Sequence, residues 1–208
     1  MEADQMEKVI EQIQLLPNVQ VDCGTAQGQA RFFAHLRNHS STPEMLELPF
    51  EWHVKEIDKC LKQVEDLIQP YSLPADYLSF LKRYGGITIS NQDVCFTSLG
   101  VGPLSEEWYP YLAGKVGYYE NGFLKIGALR FHNPIEYGFM YVSFFLDVGN
   151  RIQRNCVIGV SMWELGELQL QDVFREPQLY SFCWLTIADS FTAWLQMSAT
   201  TQGRFKYL

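Results

Sequence analysis

The residues of this chain best suited to chemistry are thinly spread, and their spacing decides how they are read. Cys23 opens the loop "CGTAQGQ", with His35, His39, His53 and His132 as conceivable bases for a thiolate. Nucleophilic catalysis needs such a base within hydrogen-bond reach, which sequence separation does not encode; the competing reading is an ordinary loop cysteine. As a phosphate cradle the same loop lacks the lysine and hydroxyl pair that follows the second glycine of a P-loop. His35 and His39 stand four apart and would share one helix face, but zinc needs a further ligand and nothing nearby has matching spacing. Two histidines on a solvated face is the simpler reading. Glu106 and Glu107 are adjacent carboxylates in a polar loop, and acid/base work would require burial or a second charge to raise one of them. No nucleophile elbow, dinucleotide fingerprint or metal cage is present in the sequence. The expectation is a protein with no enzymatic activity, no metal and no cofactor.

Composition narrows the classes further. Hydrophobic residues make up 47% and charged residues 19% of 208 positions, a globular balance and not a disordered one. The 14 Phe, 11 Tyr and 5 Trp suit a β-rich core and adhesive surfaces. A net charge of −8 without a basic stripe argues against direct nucleic-acid binding and favours a basic partner. The cysteines, Cys23, Cys60, Cys95, Cys156 and Cys183, are odd in number and form no CxxC pair, as in a reduced cytosolic protein. "MEADQMEKVIEQIQ" is acidic and lacks an apolar signal-peptide core. The longest apolar run, Phe139 to Leu146, is interrupted by Ser143 and falls far short of the ~20 residues of a membrane helix. A soluble, cytoplasmic protein that does not enter membranes is expected.

These residues must be positioned by elements that the periodicity marks out. Residues 4 to 16 read as a helix with Met6, Val9, Ile10, Ile13 and Leu16 on one face, ended by Pro17. The polar stretch "RNHSSTPEM" suggests a boundary, so residues 1–48 are expected to form a helical N-terminal extension and 49–208 the main domain. A longer helix over 52–69 would bury Ile57, Cys60, Leu61, Val64, Leu67 and Ile68, and Pro70 stops it. From Ile87 to about residue 175 the signals are those of strands. "ITIS" and "VCFTSL" flank a turn at 91–93, "VGYYE" and "FLKIGAL" flank the hairpin signal Asn121-Gly122, and "YGFMYVSFFLDV" and "RIQRNCVIGVSMW" flank Gly149-Asn150. "TIADSFTAWLQMS" closes the chain as a helix, with Thr186 as cap and Ile187, Phe191, Trp194 and Leu195 as its buried face. Helices, then a meander of strands, then a helix predict an α+β fold with a mainly antiparallel sheet.

One stretch is more sharply punctuated than the rest. In "SLPADYLSFLKRYGG", Pro74 suits the first helical position, Asp76 the first turn, and Tyr77, Leu81 and Tyr84 one apolar stripe widened by Leu78 and Phe80. Lys82 and Arg83 suit the last turn, and Gly85 can close the helix in the left-handed conformation. Leu73, Pro74, Asp76, Tyr77, Phe80, Leu81, Gly85 and Gly86 together resemble the signature of the SUKH superfamily, the Smi–Knr family of fungal cell-wall regulators and bacterial toxin-immunity proteins. "FLKIG" (123–127) resembles that family's Ile-Gly strand and "IADSFTAWL" (187–195) its C-terminal helix; "ALRFHNPIEYG" departs from its usual short turn. The resemblance covers about residues 51 to 196 and implies a non-enzymatic protein-binding module, foremost an immunity-type inhibitor of a toxin domain. A scaffold or regulatory interaction protein of the same family is the alternative, and a Cys/His-dependent hydrolase the remote one.

If the chain binds a basic toxin domain, the expected contact surface is Glu106, Glu107, Trp108, Tyr109, Tyr111, Tyr119 and Glu120, where carboxylates that steer lie beside aromatics that anchor. The same aromatics could instead be core residues of a β-domain. For the corner itself, Gly85→Val is expected to cost on the order of 1–3 kcal/mol through left-handed strain, and Lys82→Ala less than ~0.5 kcal/mol. Equal shifts of the denaturation midpoint would show that Gly85 does not hold the corner.

Overall fold

The computed structural model describes residues 2–16, 19–21, 62, 65–66, 68–84, 87–91, 97–101, 119–133, 138–161 and 167–201. Its elements are α1 (Glu2–Gln14), β1 (Val19–Val21), α2 (Ala75–Tyr84), β2 (Ile87–Asn91), β3 (Thr97–Val101), β4 (Phe123–Asn133), β5 (Gly138–Asp147), β6 (Val157–Ser161), α3 (Glu167–Arg175), β7 (Trp184–Ala188) and α4 (Phe191–Thr200). The seven strands form one sheet in chain order, every neighbour antiparallel. The α+β meander expected from the sequence is what forms.

β5 shows why this sheet needs a layer on each side. Val142 to Asp147 are all buried, so both faces of the strand are covered, and the run reads as continuously apolar apart from Ser143 and Asp147. Phe144 and Phe145 point to opposite faces by the period of two. Phe144 packs on Trp194 of α4 with ring centroids 5.0 Å apart, and Phe145 packs on Phe174 of α3 at 4.7 Å. α1, α2 and α4 contact one another on the Phe144 side. There Phe191 meets Tyr77 edge-on at 4.7 Å and Phe80 at 5.0 Å.

Several local expectations are corrected. α1 buries Met6, Val9, Ile10 and Ile13 as its stripe predicts, but it does so in the same core cluster as the sheet and α4. β1 adds a strand beside β2. The described parts of residues 1–48, α1 and β1, thus pack with the core and the sheet, while the boundary at residue 48 lies outside the described residues. The expected hairpin pairing does not begin at Asn121-Gly122, since residues 119–122 are a turn; residues 116–118 of its first strand lie outside the described residues. Instead Gly122, at φ +80°, closes a turn in which its N–H donates to the Tyr119 carbonyl at 2.9 Å. The Gly149 N–H donates to the Gly122 carbonyl at 2.8 Å, and a Cβ on Gly122 would stand 2.5 Å from the Gly149 Cα, so two turns are stapled where only glycines fit. α3 lies within the stretch read as strands. The cap of α4 is Ser190, whose Oγ accepts from the Ala193 N–H at 3.1 Å, while Thr186 is a residue of β7. Of the 52–69 helix, Lys62, Glu65 and Asp66 are helical and exposed and Ile68 is buried; the remainder lies outside the described residues.

Ile13, with no exposed surface, and Leu15, 82% exposed, test the place of α1. Ile13→Ala is expected to cost about 2–5 kcal/mol, and Leu15→Ala less than about 0.5 kcal/mol. Urea midpoints measure both; a mild effect at Ile13 would return α1 to the status of an appendage.

Candidate interaction surface

The signature residues prove to be joints of the scaffold. Pro74 is buried and its carbonyl accepts the first helical bond of α2, from the Leu78 N–H at 2.9 Å; Leu73 packs half-buried against the core. Asp76 acts on two helices at once. Its Oδ1 accepts from the Tyr77 N–H at 2.9 Å, and its Oδ2 accepts from both the N–H and the Oγ1 of Thr192, each at 3.0 Å. A residue expected to serve its own helix thus also caps α4, more than a hundred positions away, where unpaired N–H groups and the dipole favour a carboxylate. Tyr77 is 1% exposed, and burial together with nearby Tyr119 holds its phenol well above the ordinary 10.0. Gly85 and Gly86 lie outside the described residues.

Of the expected contact surface, Glu106, Glu107, Trp108, Tyr109 and Tyr111 also lie outside the described residues. Tyr119 is a correction: it is 4% exposed and belongs to the core cluster. Glu120, the next residue, is exposed at the tip of that turn. The structure so far separates the two residues that their adjacency joined.

The one buried carboxylate among the described residues is spent on architecture. Asp147, at the end of β5, is fully buried, and its carboxylate accepts from the N–H groups of Arg151 at 2.9 Å, Ile152 at 2.6 Å and Gln153 at 2.9 Å. Its own N–H donates to the Cys156 carbonyl at 3.0 Å, and its carbonyl accepts from the Asn155 N–H at 2.8 Å. The turn is thereby wound around one carboxylate, with Asn150 and Asn155 taking the left-handed conformations it needs. Burial, with the Asp147 carboxylate adding to it, pushes the Cys156 thiol up to about 11. A nucleophilic thiolate needs the opposite shift. Cys23, His35, His39 and His53 lie outside the described residues, and among those described no group of His, Cys, Asp and Glu is placed to hold a metal ion. No described helix is long and apolar enough to cross a membrane.

What stands out instead is a surface between α3 and β7. Leu179 is 68%, Phe182 82% and Leu185 49% exposed. They are not on a loose loop. Leu179 N–H donates to the Glu176 carbonyl at 3.0 Å and Cys183 N–H to the Tyr180 carbonyl at 2.9 Å. Trp184 Nε1 donates to the Pro177 carbonyl at 3.0 Å, and the Tyr180 and Phe182 rings lie 6.1 Å apart. From the neighbouring turn, Gln178 Nε2 donates to the Arg151 carbonyl at 3.2 Å and Arg151 Nη2 to the Arg175 carbonyl at 2.6 Å. Three large apolar side chains are thus held in water by an ordered backbone. The signal was in the sequence: "PQLYSFCWLTIA" (177–188) has no charged residue and five large apolar or aromatic ones before Thr186. Reading it as the approach to a core helix hid it.

Comparison with protein-family models, with curated proteins and with solved structures finds no match to this chain.

The Cys156 thiol gives a signed pH test. Its folded-state value lies above the ordinary 9.0, so the stability tied to the neutral thiol is complete below about pH 9 and is lost as pH rises through about 11. The wild-type denaturation midpoint is expected to fall across that window relative to Cys156→Ala. Parallel pH profiles would show that the thiol is no harder to ionise in the fold.

Proposed function

We propose that this protein works by binding another protein and not by catalysis, in the manner of an immunity-type inhibitor that occupies a toxin domain. The observation that carries the reading is the ordered apolar surface of Leu179, Phe182 and Leu185, presented at the edge of the sheet. Exposed aromatic and aliphatic anchors on a rigid frame lose little conformational entropy when covered, which is what a hot spot requires. The rest of the chemistry supports the same reading. Asp147 and Asp76 are committed to backbone donors, and the Cys156 thiol is driven towards its neutral form. The net charge of −8 favours fast encounter with a basic partner, and Glu120 is an exposed contributor to that field.

The test is binding kinetics against the product of the adjacent gene, measured at two ionic strengths. Phe182→Asp is expected to speed dissociation and to cost about 2 kcal/mol or more, as removal of an anchor does. Glu120→Lys is expected to slow association and to flatten its salt dependence while leaving dissociation nearly unchanged. Both side chains are exposed, so both variants should retain the wild-type thermal transition. Unaltered kinetics in both folded variants would remove this surface and this charge from the proposal.

A further inference from the structure

β7 is the last strand of the sheet, and among the described residues no strand pairs with its outer edge. Terminal strands are ordinarily blunted by shortness, charge, proline or a bulge, because a bare edge recruits other chains. The opposite edge obeys this rule: β1 has only 3 residues. β7 is the sequence Trp-Leu-Thr-Ile-Ala, with neither charge nor proline, and its register shift falls at Ile187, beyond the regular stretch Trp184–Thr186. Leu185 and Thr186, on opposite faces, are both exposed. Among the described residues, the edge is therefore unpaired by any strand and exposed on two faces.

Charge indicates which partner fits. Two copies of a chain with net charge −8 repel each other over most of their surface. Residues 177–188 carry no charge, and beside them Arg175 is paired with Asp172 at 3.8 Å while Arg151 donates to the Arg175 carbonyl. A second copy would therefore meet little repulsion at this edge. The strand is also self-complementary. An antiparallel pair about a two-fold axis at Leu185 sets Leu185 against Leu185 and Trp184 against Thr186, with no like charges opposed. The same operation carries the exposed Phe182 of each copy towards the Ile187–Ala188 end of the other.

We propose that the outer edge of β7 pairs antiparallel with the same edge of a second copy, running one sheet through both chains. The inference rests on the reading of this edge as a protein-binding surface and names its occupant. The experiment is sedimentation velocity of the full chain across the micromolar range, with hydrogen exchange read at both ends of that range. A concentration-dependent dimer is expected, with the amides of 184–188 gaining protection as it forms. Leu185→Lys, which blunts the edge at an exposed position, is expected to weaken the dimer by about tenfold or more, with the wild-type thermal transition retained. Leu15→Lys, at a leucine still more exposed than Leu185 but elsewhere on the chain, should leave it unchanged. A wild-type chain that stays monomeric overturns the inference, as does a dimer indifferent to Leu185→Lys. A monomer in which Leu185→Lys still abolishes binding of the adjacent gene's product would overturn it while leaving the proposed function standing. A dimer that depends on Leu185, in a chain that ignores that product, would do the reverse.

Discussion

Burial of β5 on both of its faces is the constraint from which the rest of this architecture follows. A strand covered on two sides needs a layer on each, and the adjacent pair Phe144–Phe145 specifies what those layers hold. Trp194 of α4 receives one ring and Phe174 of α3 the other. Such a strand must also end cleanly, because an apolar run leaving a sheet exposes backbone that needs partners. Asp147 supplies that ending. Its carboxylate takes three successive N–H groups and turns the chain back into β6, whose Val157, Ile158 and Val160 continue the buried rows.

The helical layer is tied to itself by a second carboxylate. Asp76 begins α2 and caps α4, so the two helices share one polar joint at the end where both would otherwise leave N–H groups unpaired. The aromatic cluster of Tyr77, Phe80, Phe191 and Trp194 fills the space behind that joint. α1 completes the layer with a stripe of four buried side chains, all in the same cluster. Among the described residues the fold spends the carboxylates of Asp76 and Asp147 on its own joints. What the fold leaves to water between α3 and β7 is apolar and locally uncharged, an unusual face for an acidic chain and one suited to association.

Much of this was legible from residue patterns alone. The stripes of α1 and α4, the β5–β6 pair about Gly149-Asn150 and the punctuated start of α2 all express local physics: periodicity, proline placement, turn residues. The association surface was less so. Its uncharged run from Pro177 to Ala188 is visible in the sequence, but apolar residues before a buried helix read equally well as core. Tyr119 failed in the opposite sense, since an aromatic beside an exposed glutamate looks like an anchor until the fold buries it.

What the sequence determined by itself, then, is the set of elements and the face each must bury, because both depend on neighbours a few residues apart. The tertiary structure decided which edges meet and which side chains stay wet. The hairpin signal at Asn121-Gly122 becomes a turn stapled to Gly149 by the Gly149 N–H and the Gly122 carbonyl. Asp76 finds Thr192 across the fold, and α1 joins the core it had seemed to precede. Pairing and exposure are properties of surfaces brought together from distant parts of the chain, and no local pattern carries them.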